Sequence, residues 1–407
     1  MSDGGPMKKL FAGNLFWNQT IEPFACFNPL QNDLETDVLI IGGGMSGNLC
    51  AHEIAGRNHS VVVCEKDQLA MGSSSASSGI LQYLNDEMLY RLIESIGEKK
   101  AVLFYQMCLD SMKDLINLSR KMEQYGGLMP RKGVFFASAK EDVPELDKEY
   151  KALSDHYFPV SYLDHAELMQ IYGIDRPAAL ETSMNAEVNP YQFLQTLMKL
   201  NVSLGVQYYE KTGIKKVKTD KDQIIATTKN GNRIQAKYVV FATGCSVIYP
   251  ELKKKMKVVN TYTFASSVSK RPLWQDHVLF RETRPPYLFF RMTEDNRVIA
   301  GETDKKADSP EKKKGAIDKR NREILERVQS LMPNLDVKVE YSWNTLSADS
   351  KDHIPFIGPS KKDPRRIYLI GVGGNGLVHS MAGASIIADY IDGIKNPYAG
   401  VVKAKRK

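Results

Sequence analysis

The pattern of apolar and polar positions begins with two short apolar runs, residues 38–41 and Val61–Cys64. Neither run alternates with polar residues, which is typical of strands that are buried on both faces of a parallel sheet. Between the runs, Met45, Leu49 and Ile54 recur at helical spacing. Strand, helix and strand within about thirty residues predict a βαβ unit.

Further along the chain, the same patterns predict more helices and strands. The first 32 residues lack periodicity, and we expect an extended arm that packs Trp17 and Phe24 onto the body. Asn230-Gly231 predicts a hairpin, because this pair readily adopts the positive φ angles of a tight turn. Helices are expected at residues 84–124, 142–157, 191–204, 308–331 and 377–391, and strands at 134–137, 224–228, 238–242, 287–290, 297–300 and 367–370.

Composition and charge add only exclusions. Of the 407 residues, 43% are apolar and 25% are charged, which excludes disorder as the main state. The net charge of +7 comes from lysine-rich clusters at residues 253–255, 312–314 and 403–407. No aromatic residues interleave with these clusters, so they indicate solvated surfaces and not a nucleic-acid-binding stripe.

The five cysteines are scattered and form no CxxC pair, so they indicate neither a disulfide framework nor a zinc site. This usage favours a reduced, cytoplasmic setting. We see no leader sequence, and no apolar run reaches the roughly 20 residues that a spanning helix requires. We therefore expect a soluble protein without a metal or a nucleic-acid partner.

The strongest chemical signal is the GxGxxG spacing of Gly42, Gly44 and Gly47, directly after the first buried strand. These glycines allow a tight turn, a close approach of a pyrophosphate to the backbone, and close packing of helix on strand. Glu65 ends the second strand, where a carboxylate accepts the hydrogen bonds of a ribose. Strand, glycines, helix, strand and acid in this order predict a dinucleotide-binding site.

Three later loops bear on which dinucleotide is bound. Residues 72–81 are small and rich in hydroxyls, which suits a flat ring lying against the backbone, although a flexible serine linker would have the same composition. Residues 242–244 end a buried strand beside the dinucleotide. Residues 371–378 lie between a strand and a helix, and the N-terminus of that helix suits the N1–C2=O edge of a flavin that gains negative charge.

Together these motifs resemble the FAD-dependent D-amino acid oxidase superfamily, the group of glycine oxidase, sarcosine oxidase and related amine dehydrogenases. The resemblance extends from about residue 33 to residue 393, and it is specific for the superfamily but not for a substrate. The motifs that carry it are residues 37–47, Glu65-Lys66, residues 72–81, 242–244, 352–358 and 373–376.

The resemblance implies an α/β fold with a discontinuous, Rossmann-like FAD-binding domain and a second α+β substrate domain that has a mixed or antiparallel sheet. We expect the isoalloxazine between the two domains. The predicted boundaries are an arm at 1–32, the FAD-binding domain at 33–98, 186–250 and 340–398, the substrate domain at 99–185 and 251–339, and a basic tail at 399–407.

The resemblance also implies cofactor contacts, residue by residue. FAD is expected to be non-covalent, since we match no cysteine or histidine to a flavin attachment. The expected contacts are Gly42, Gly44, Met45, Ser46 and Gly47 for the pyrophosphate, Glu65 and Lys66 for the ribose, Ser73, Ser74, Ser78, Gly79 and Ile80 along the pyrophosphate and flavin, Ile214 for adenine, Thr243 and Gly244 beside the dinucleotide, and Gly374, Asn375, Gly376, Leu377 and Val378 below the pyrimidine edge.

The sequence departs from the family at the arginine that clamps the substrate carboxylate, because Ser347 stands in its place. Arg291 is our candidate replacement, since alternation places it on one strand face with Tyr287 and Phe289. A surface arginine at a sheet edge fits the same pattern. We interpret His353 and His379, near the cofactor loops, as hydrogen-bonded structural histidines.

Two functional classes follow. The first is an FAD-dependent enzyme that oxidises the C–N bond of an amino acid or amine by hydride transfer to flavin N5, which gives an imine that hydrolyses. Arg291 and Tyr287 would hold the substrate, and oxygen or another acceptor would take the electrons. The second is a flavin-binding subunit that relays electrons in a complex without its own small substrate. The substrate, the acceptor and the oligomeric state stay open.

Overall fold

The computed structural model describes residues 10–245, 252, 255–306, 309–403 and 406, which fold around two β-sheets. Parts of the predicted arm, of the lysine cluster at residues 253–255 and of the basic tail lie outside the described residues. These are residues 1–9, Lys253, Lys254, Ala404, Lys405 and Lys407.

The strands alternate with helices in the first part of the chain and dominate its middle. The strands are β1 (Phe11–Gly13), β2 (Leu34–Ile41), β3 (Val61–Cys64), β4 (Ile80–Gln82), β5 (Leu128–Phe136), β6 (Val160–Asp164), β7 (Ala178–Val188), β8 (Gln207–Tyr209), β9 (Ile214–Asp220), β10 (Gln223–Thr228), β11 (Arg233–Phe241), β12 (Met256–Ser266), β13 (Leu279–Glu282), β14 (Leu288–Met292), β15 (Val298–Lys306), β16 (Val339–Ser350), β17 (Phe356–Pro359) and β18 (Arg366–Ile370).

The helices cover the first sheet and the outer face of the second. They are α1 (Met45–Ala55), α2 (Leu89–Ile96), α3 (Glu98–Ser119), α4 (Val143–Asp155), α5 (His165–Tyr172), α6 (Pro190–Ser203), α7 (Lys314–Leu331), α8 (Gly376–Ile391) and α9 (Ala399–Val402).

The first sheet has a parallel centre in the order β18-β11-β2-β3-β8. The apolar runs of β2 and β3 are buried on both faces, as their lack of alternation predicts. The hairpin β10–β11, with its Asn230-Gly231 turn, adds β9 and β10 antiparallel at one side. The predicted βαβ unit is confirmed.

Small residues let α1 and α8 pack closely side by side on this sheet. The hydroxyls of Ser46 and Ser380 are 2.7 Å apart across the helix pair. A Cβ on Gly383 would lie 2.4 Å from Leu369 Cδ1, so a larger residue there would force the Leu369 side chain on β18 to move. The helix that begins the cofactor motif is therefore held by a helix from the end of the chain.

The second sheet runs β1-β16-β12-β15-β14-β13-β5-β7-β4, with β6 beside β7. Its described pairs are antiparallel except for β5 with β13, so the sheet is mixed, within the predicted class. Helix α7 packs Ile324 and Val328 in one apolar cluster with Phe264 and Phe290 of this sheet. The predicted fold class is confirmed.

Three local predictions differ from the structure. The long helix expected over 84–124 is two helices separated by Gly97, whose φ of +85° breaks the helical backbone. Of the two arm aromatics, Trp17 is buried but Phe24 is exposed. Strands β4 and β16 fall in ranges predicted for the FAD-binding domain, but they pair in the second sheet. The domain boundaries stay a prediction.

Within the described part of the chain, we find no helix with both the length and the apolar character needed to cross a membrane.

Buried Glu149 caps the start of α2 from the neighbouring helix α4. Its carboxylate oxygens accept hydrogen bonds from the backbone N–H groups of Leu89 and Tyr90, at 2.9 and 3.1 Å. Burial outweighs these bonds and raises the pKa of Glu149 to about 7.

This pKa predicts a pH-dependent stability that Glu149→Gln removes. A carboxyl whose pKa is higher in the folded than in the unfolded chain stabilises the protein at low pH, and this contribution is lost as pH rises through the folded pKa. From about pH 5 to about pH 8, wild type should lose on the order of 2–3 kcal/mol relative to Glu149→Gln in denaturant unfolding. Glu145→Gln, at an exposed position of the same helix, should parallel wild type. Parallel profiles for wild type and Glu149→Gln would contradict the raised pKa of Glu149.

Candidate active site

A cavity of about 1850 Å³ lies between the two sheets. The loops at the carboxyl ends of β2, β3, β11 and β18 form one wall, and strands β5 and β12–β16 form the other. A pocket for one drug-sized ligand has roughly 300–1,000 Å³. The cavity therefore has room for an extended cofactor together with a small substrate.

The glycine loop closes the cavity where β2 meets α1. Gly42 has a φ of +115°, and a Cβ there would lie 2.4 Å from the carbonyl oxygen of Ala242, so the turn requires glycine. Around Gly44 only the Ser74 hydroxyl comes near, and that hydroxyl accepts the N–H of Met45 at the start of α1. A bare backbone next to a helix N-terminus suits a pyrophosphate.

Glu65 follows β3 and contacts the glycine loop. Its two carboxylate oxygens accept the N–H groups of Gly43 and Asp67, at 2.9 and 3.1 Å. Burial raises the pKa of Glu65, although these two bonds oppose the shift. Lys66 and Ile214 also line the cavity, and their contacts with the ribose and adenine stay a prediction.

Three consecutive backbone carbonyls of the serine loop, residues 72–79, accept hydrogen bonds from side chains elsewhere in the fold. Ala76 accepts the indole N–H of Trp343 at 3.0 Å, Ser77 that of Trp17 at 2.8 Å, and Ser78 the Nε–H of Arg291 at 2.9 Å. These donors come from β16, from the arm and from β14. The loop is thus fixed in place and is not a flexible linker.

The loop before α8 completes the wall. The Asn375 amide donates to the carbonyl oxygen of Gln82 at 2.8 Å, while its buried Oδ1 has no hydrogen-bond partner among the described residues. A Cβ on Gly373 would lie 2.9 Å from an oxygen of Asp349, and one on Gly374 would lie 3.3 Å from Asp86. An open acceptor and a backbone without side chains fit a ligand edge against this loop, so the residues present fit FAD.

Arg291 corrects the sequence prediction. It shares a strand face with Phe289, but it does not line the cavity. Its side chain is 2% exposed and stacks on Trp17, and besides Ser78 it donates to Glu187 and to the carbonyl oxygen of Val188. Alternation gave the correct face, but the arm and β7 cover that face at Arg291. Arg291 therefore cannot clamp a substrate in this structure, and neither is it an edge arginine.

Arg281 takes the place in the cavity that we expected for Arg291. Its guanidinium lies over the rings of Phe135 and Tyr287, 5.7 and 5.3 Å from their centroids, and it pairs with Asp86 at 2.9 Å. Tyr287 and Phe289 also line the cavity, as predicted. Sequence analysis missed Arg281 because no strand was predicted at Leu279–Glu282.

Most predicted contact residues come together on the cavity wall. Gly47, Gly79 and Val378 do not line it: Gly47 packs α1 against the Gly42 turn, Gly79 lies against Val188 and Arg291, and Val378 is in the core. The predicted residues that line it are Gly42, Gly44, Met45, Ser46, Glu65, Lys66, Ser73, Ser74, Ser78, Ile80, Ile214, Thr243, Gly244, Gly374, Asn375, Gly376 and Leu377, with Tyr287.

The two histidines differ. His379 is buried, with hydrogen-bond contacts to the carbonyl oxygen of Val372 and to Asn85, as a structural histidine should be. His353 instead lines the cavity beside Asp349 and Lys257. No sequence signal separates the two, because both lie near cofactor loops.

Comparison with known proteins decides the family. A family model described as FAD-dependent oxidoreductase matches residues 37–390. The chain belongs to the FAD-dependent oxidoreductase family. The predicted superfamily and the FAD cofactor are confirmed, while the non-covalent attachment stays a prediction.

Relatives of this FAD-dependent oxidoreductase match over most of their length at low identity. The putative Rieske 2Fe-2S iron-sulfur protein YhfW of Bacillus subtilis is 22% identical over 97% of this chain and 76% of its own length. Glycine oxidase of the same organism is 22% identical over 87% of this chain and 92% of its own. The crystal structure of glycine oxidase from Geobacillus kaustophilus superposes with a TM-score of 0.79 at 19% identity, over 92% and 99% of the two chains, which shows a shared fold.

The three tryptophans offer a matched test of the serine loop. Trp17→Phe and Trp343→Phe each leave a loop carbonyl without its donor, which costs about 1–3 kcal/mol. Because the loop lines the cofactor cavity, each should weaken FAD binding by the apoprotein at least fivefold. Trp274→Phe removes a similar bond to Val278 between two residues that do not line the cavity, and it should lower thermal stability without changing the dissociation constant. Equal FAD affinity in all four proteins would show that the loop does not depend on these donors.

Glu65 should matter for FAD binding through its acceptor oxygens. Glu65→Ala should weaken FAD binding about tenfold, because two backbone N–H groups and a ribose hydroxyl lose their acceptor. Glu65→Gln keeps one acceptor oxygen and should lose less, about threefold. Equilibrium titration of apoprotein with FAD measures both. Unchanged affinity in both variants would place the ribose elsewhere.

Proposed function

We propose that this FAD-dependent oxidoreductase oxidises the C–N bond of a small amino acid or amine that enters the cavity from the side of the second sheet. The observation that carries the proposal is that the cavity has two walls of different chemistry. Cofactor loops form one wall, and the other carries Arg281 between two aromatic rings. The name of the glycine oxidase relative supports an amino acid as the substrate.

When bound, FAD supplies the acceptor for the hydride that leaves the carbon next to nitrogen. The protein supplies orientation. Arg281 has five N–H groups, and its contacts to Asp86 and to the carbonyl oxygen of Asn85 use two of them. Those that remain can hold a substrate carboxylate, in the role that the family arginine has at the position of Ser347.

The aromatic residues limit water and fix this arginine. Phe135 and Tyr287 hold the guanidinium between their faces, so little side-chain entropy is lost when a carboxylate binds. Phe289 extends the apolar surface next to them. Reacting groups that are held in place and shielded from water need little acid–base help, which agrees with the absence of a catalytic triad from the described cavity wall.

A second candidate is the electron-relay subunit, and the name of the Rieske-type relative favours it. In this alternative, the flavin passes electrons within a complex and has no small substrate. Anaerobic incubation with a panel of amines and amino acids separates the two. A substrate bleaches the visible flavin absorbance, whereas a relay subunit is bleached only by its partner or by an artificial reductant. The cytoplasmic setting predicted from the cysteines remains part of the proposal.

Arg281 gives the sharpest test of how the substrate is held. Charge-assisted hydrogen bonds contribute about 1.5–3 kcal/mol, so Arg281→Leu should lower kcat/KM for a carboxylate substrate at least tenfold at unchanged FAD content. Arg281→Lys should recover part of the loss, since lysine cannot make a bidentate pair. The control is Arg284→Leu, whose exposed side chain pairs with Asp142 and does not line the cavity. A loss below twofold in Arg281→Leu would place the clamp elsewhere. If only amines without a carboxylate bleach the flavin, no clamp is needed.

A further inference from the structure

Five charged or titratable side chains form one group on the cavity wall beside the loop before α8. We call Asp86, Lys257, Arg281, Asp349 and His353 the charge cluster. All five line the cavity, and they come from four segments of the sequence, since Asp349 and His353 are only four residues apart. Ser347, which stands in the place of the family arginine, lies two residues before Asp349 on β16. His353 lies in the motif of residues 352–358, but no sequence pattern groups the five residues of the cluster.

The contacts within the charge cluster are short. His353 Nδ1 is 2.9 Å from Asp349 Oδ2, and His353 Nε2 is 2.9 Å from Lys257 Nζ. Lys257 Nζ is also 3.3 Å from Asp349 Oδ2. Donor atoms of Asp86, Asp349 and His353 lie within 4.8 Å of one another. The two cations already balance the two carboxylates, so we assign no metal ion here.

These contacts define the neutral form of His353. In this form the Lys257 ammonium donates to Nε2, while Nδ1 faces the Asp349 carboxylate at 2.9 Å. A proton added at Nε2 would face the ammonium, so Lys257 would then keep only its contact with Asp349. With neutral His353 the cluster has a net charge of zero, and with protonated His353 it has +1.

The other titratable groups near His353 do not alter the charge balance of the cluster, because each is neutral or already paired. Buried His379 faces it from α8, and burial lowers the pKa of His379, which favours its neutral form. Asp352, next in the chain, is paired through both oxygens with Arg406. For His353 itself, burial lowers the pKa, but the hydrogen bond and charge of Asp349 outweigh burial and the opposing charge of Lys257, so the pKa is raised overall.

The charge cluster touches the cofactor wall directly. Asp349 and Asp86 lie close to Gly373 and Gly374: a Cβ on these glycines would be 2.9 Å from the Asp349 carboxylate and 3.3 Å from the Asp86 carboxylate. This loop leads into the N-terminus of α8, the end that favours negative charge. A change of charge in the cluster therefore changes the electrostatic potential at the cofactor edge beside this loop.

We propose that His353, supported by Asp349 and opposed by Lys257, takes up a proton from solvent when the bound flavin is reduced, and so sets the pH dependence of the flavin's reduction potential. The reductant supplies the electron pair, the flavin is reduced, and one proton from water forms the Nε2–H bond of His353. Negative charge gained by the flavin favours the imidazolium, and by linkage the imidazolium favours reduction. The proposal rests on the proposed function only for the place of FAD.

The test measures the reduction potential of the FAD-loaded protein against pH, with an artificial reductant and mediator dyes. His353 has a φ of +56°, so His353→Asn is the mildest replacement, since asparagine tolerates this region. The slope of the potential against pH should show one more proton per electron pair in wild type than in His353→Asn, over a window around neutral pH. Asp349→Asn should move that window to lower pH, because it removes the charge that favours the imidazolium.

The control His59→Asn removes a remote surface histidine that pairs with Asp392, and it should reproduce wild type. Identical curves for wild type and His353→Asn would overturn the proposal. If His353→Asn does not retain FAD, Asp349→Asn decides, and an unshifted window overturns the proposal. Since no amine substrate is used, failure of the proposed function shows separately, as a flavin that no amine or amino acid bleaches.

Discussion

The arrangement of the active site depends on three hydrogen bonds to one short loop. Ala76, Ser77 and Ser78 present consecutive carbonyls inside the protein, and buried carbonyls need donors. Two indoles and one guanidinium supply them, and each donor lies outside the parallel sheet. The serine loop lies in the cofactor-binding part of the sequence, but the second sheet and the arm hold its shape.

The need of these buried carbonyls for hydrogen-bond donors also explains why the charged side chain of Arg291 is buried. Arg291 donates to the loop from a position with almost no exposure, where an unpaired guanidinium would be costly. Glu187 on β7 pairs with it, and Arg131 on β5 binds the other oxygen of Glu187 at 2.7 Å. The loop, β14, β7 and β5 are thus linked through one carboxylate, and removing any member would leave a buried charge or carbonyl without its partner.

Local signals allowed the cofactor half to be predicted from sequence. The runs of β2 and β3, the Gly42 turn and the helix after Asn375 each carry their signal within about thirty residues, as a βαβ unit does. On the substrate side of the cavity, the exposure of each side chain depends on which segments pack over it. Alternation placed Tyr287, Phe289 and Arg291 on one face, but a period of two does not show that Trp17 and Glu187 cover the last of them. The order of the strands brings Arg281 and the partners of His353 together. No local pattern in this sequence predicts that order.

The packing of α8 on α1 has a consequence for how the protein is made. A chain leaves the ribosome from its N-terminus, so the face of α1 that packs on α8 stays without this partner until Gly376–Ile391 has been synthesised. The loop before α8 is also part of the cavity wall. The cavity can therefore take its final shape only after synthesis has passed α8, although its glycine loop is made much earlier.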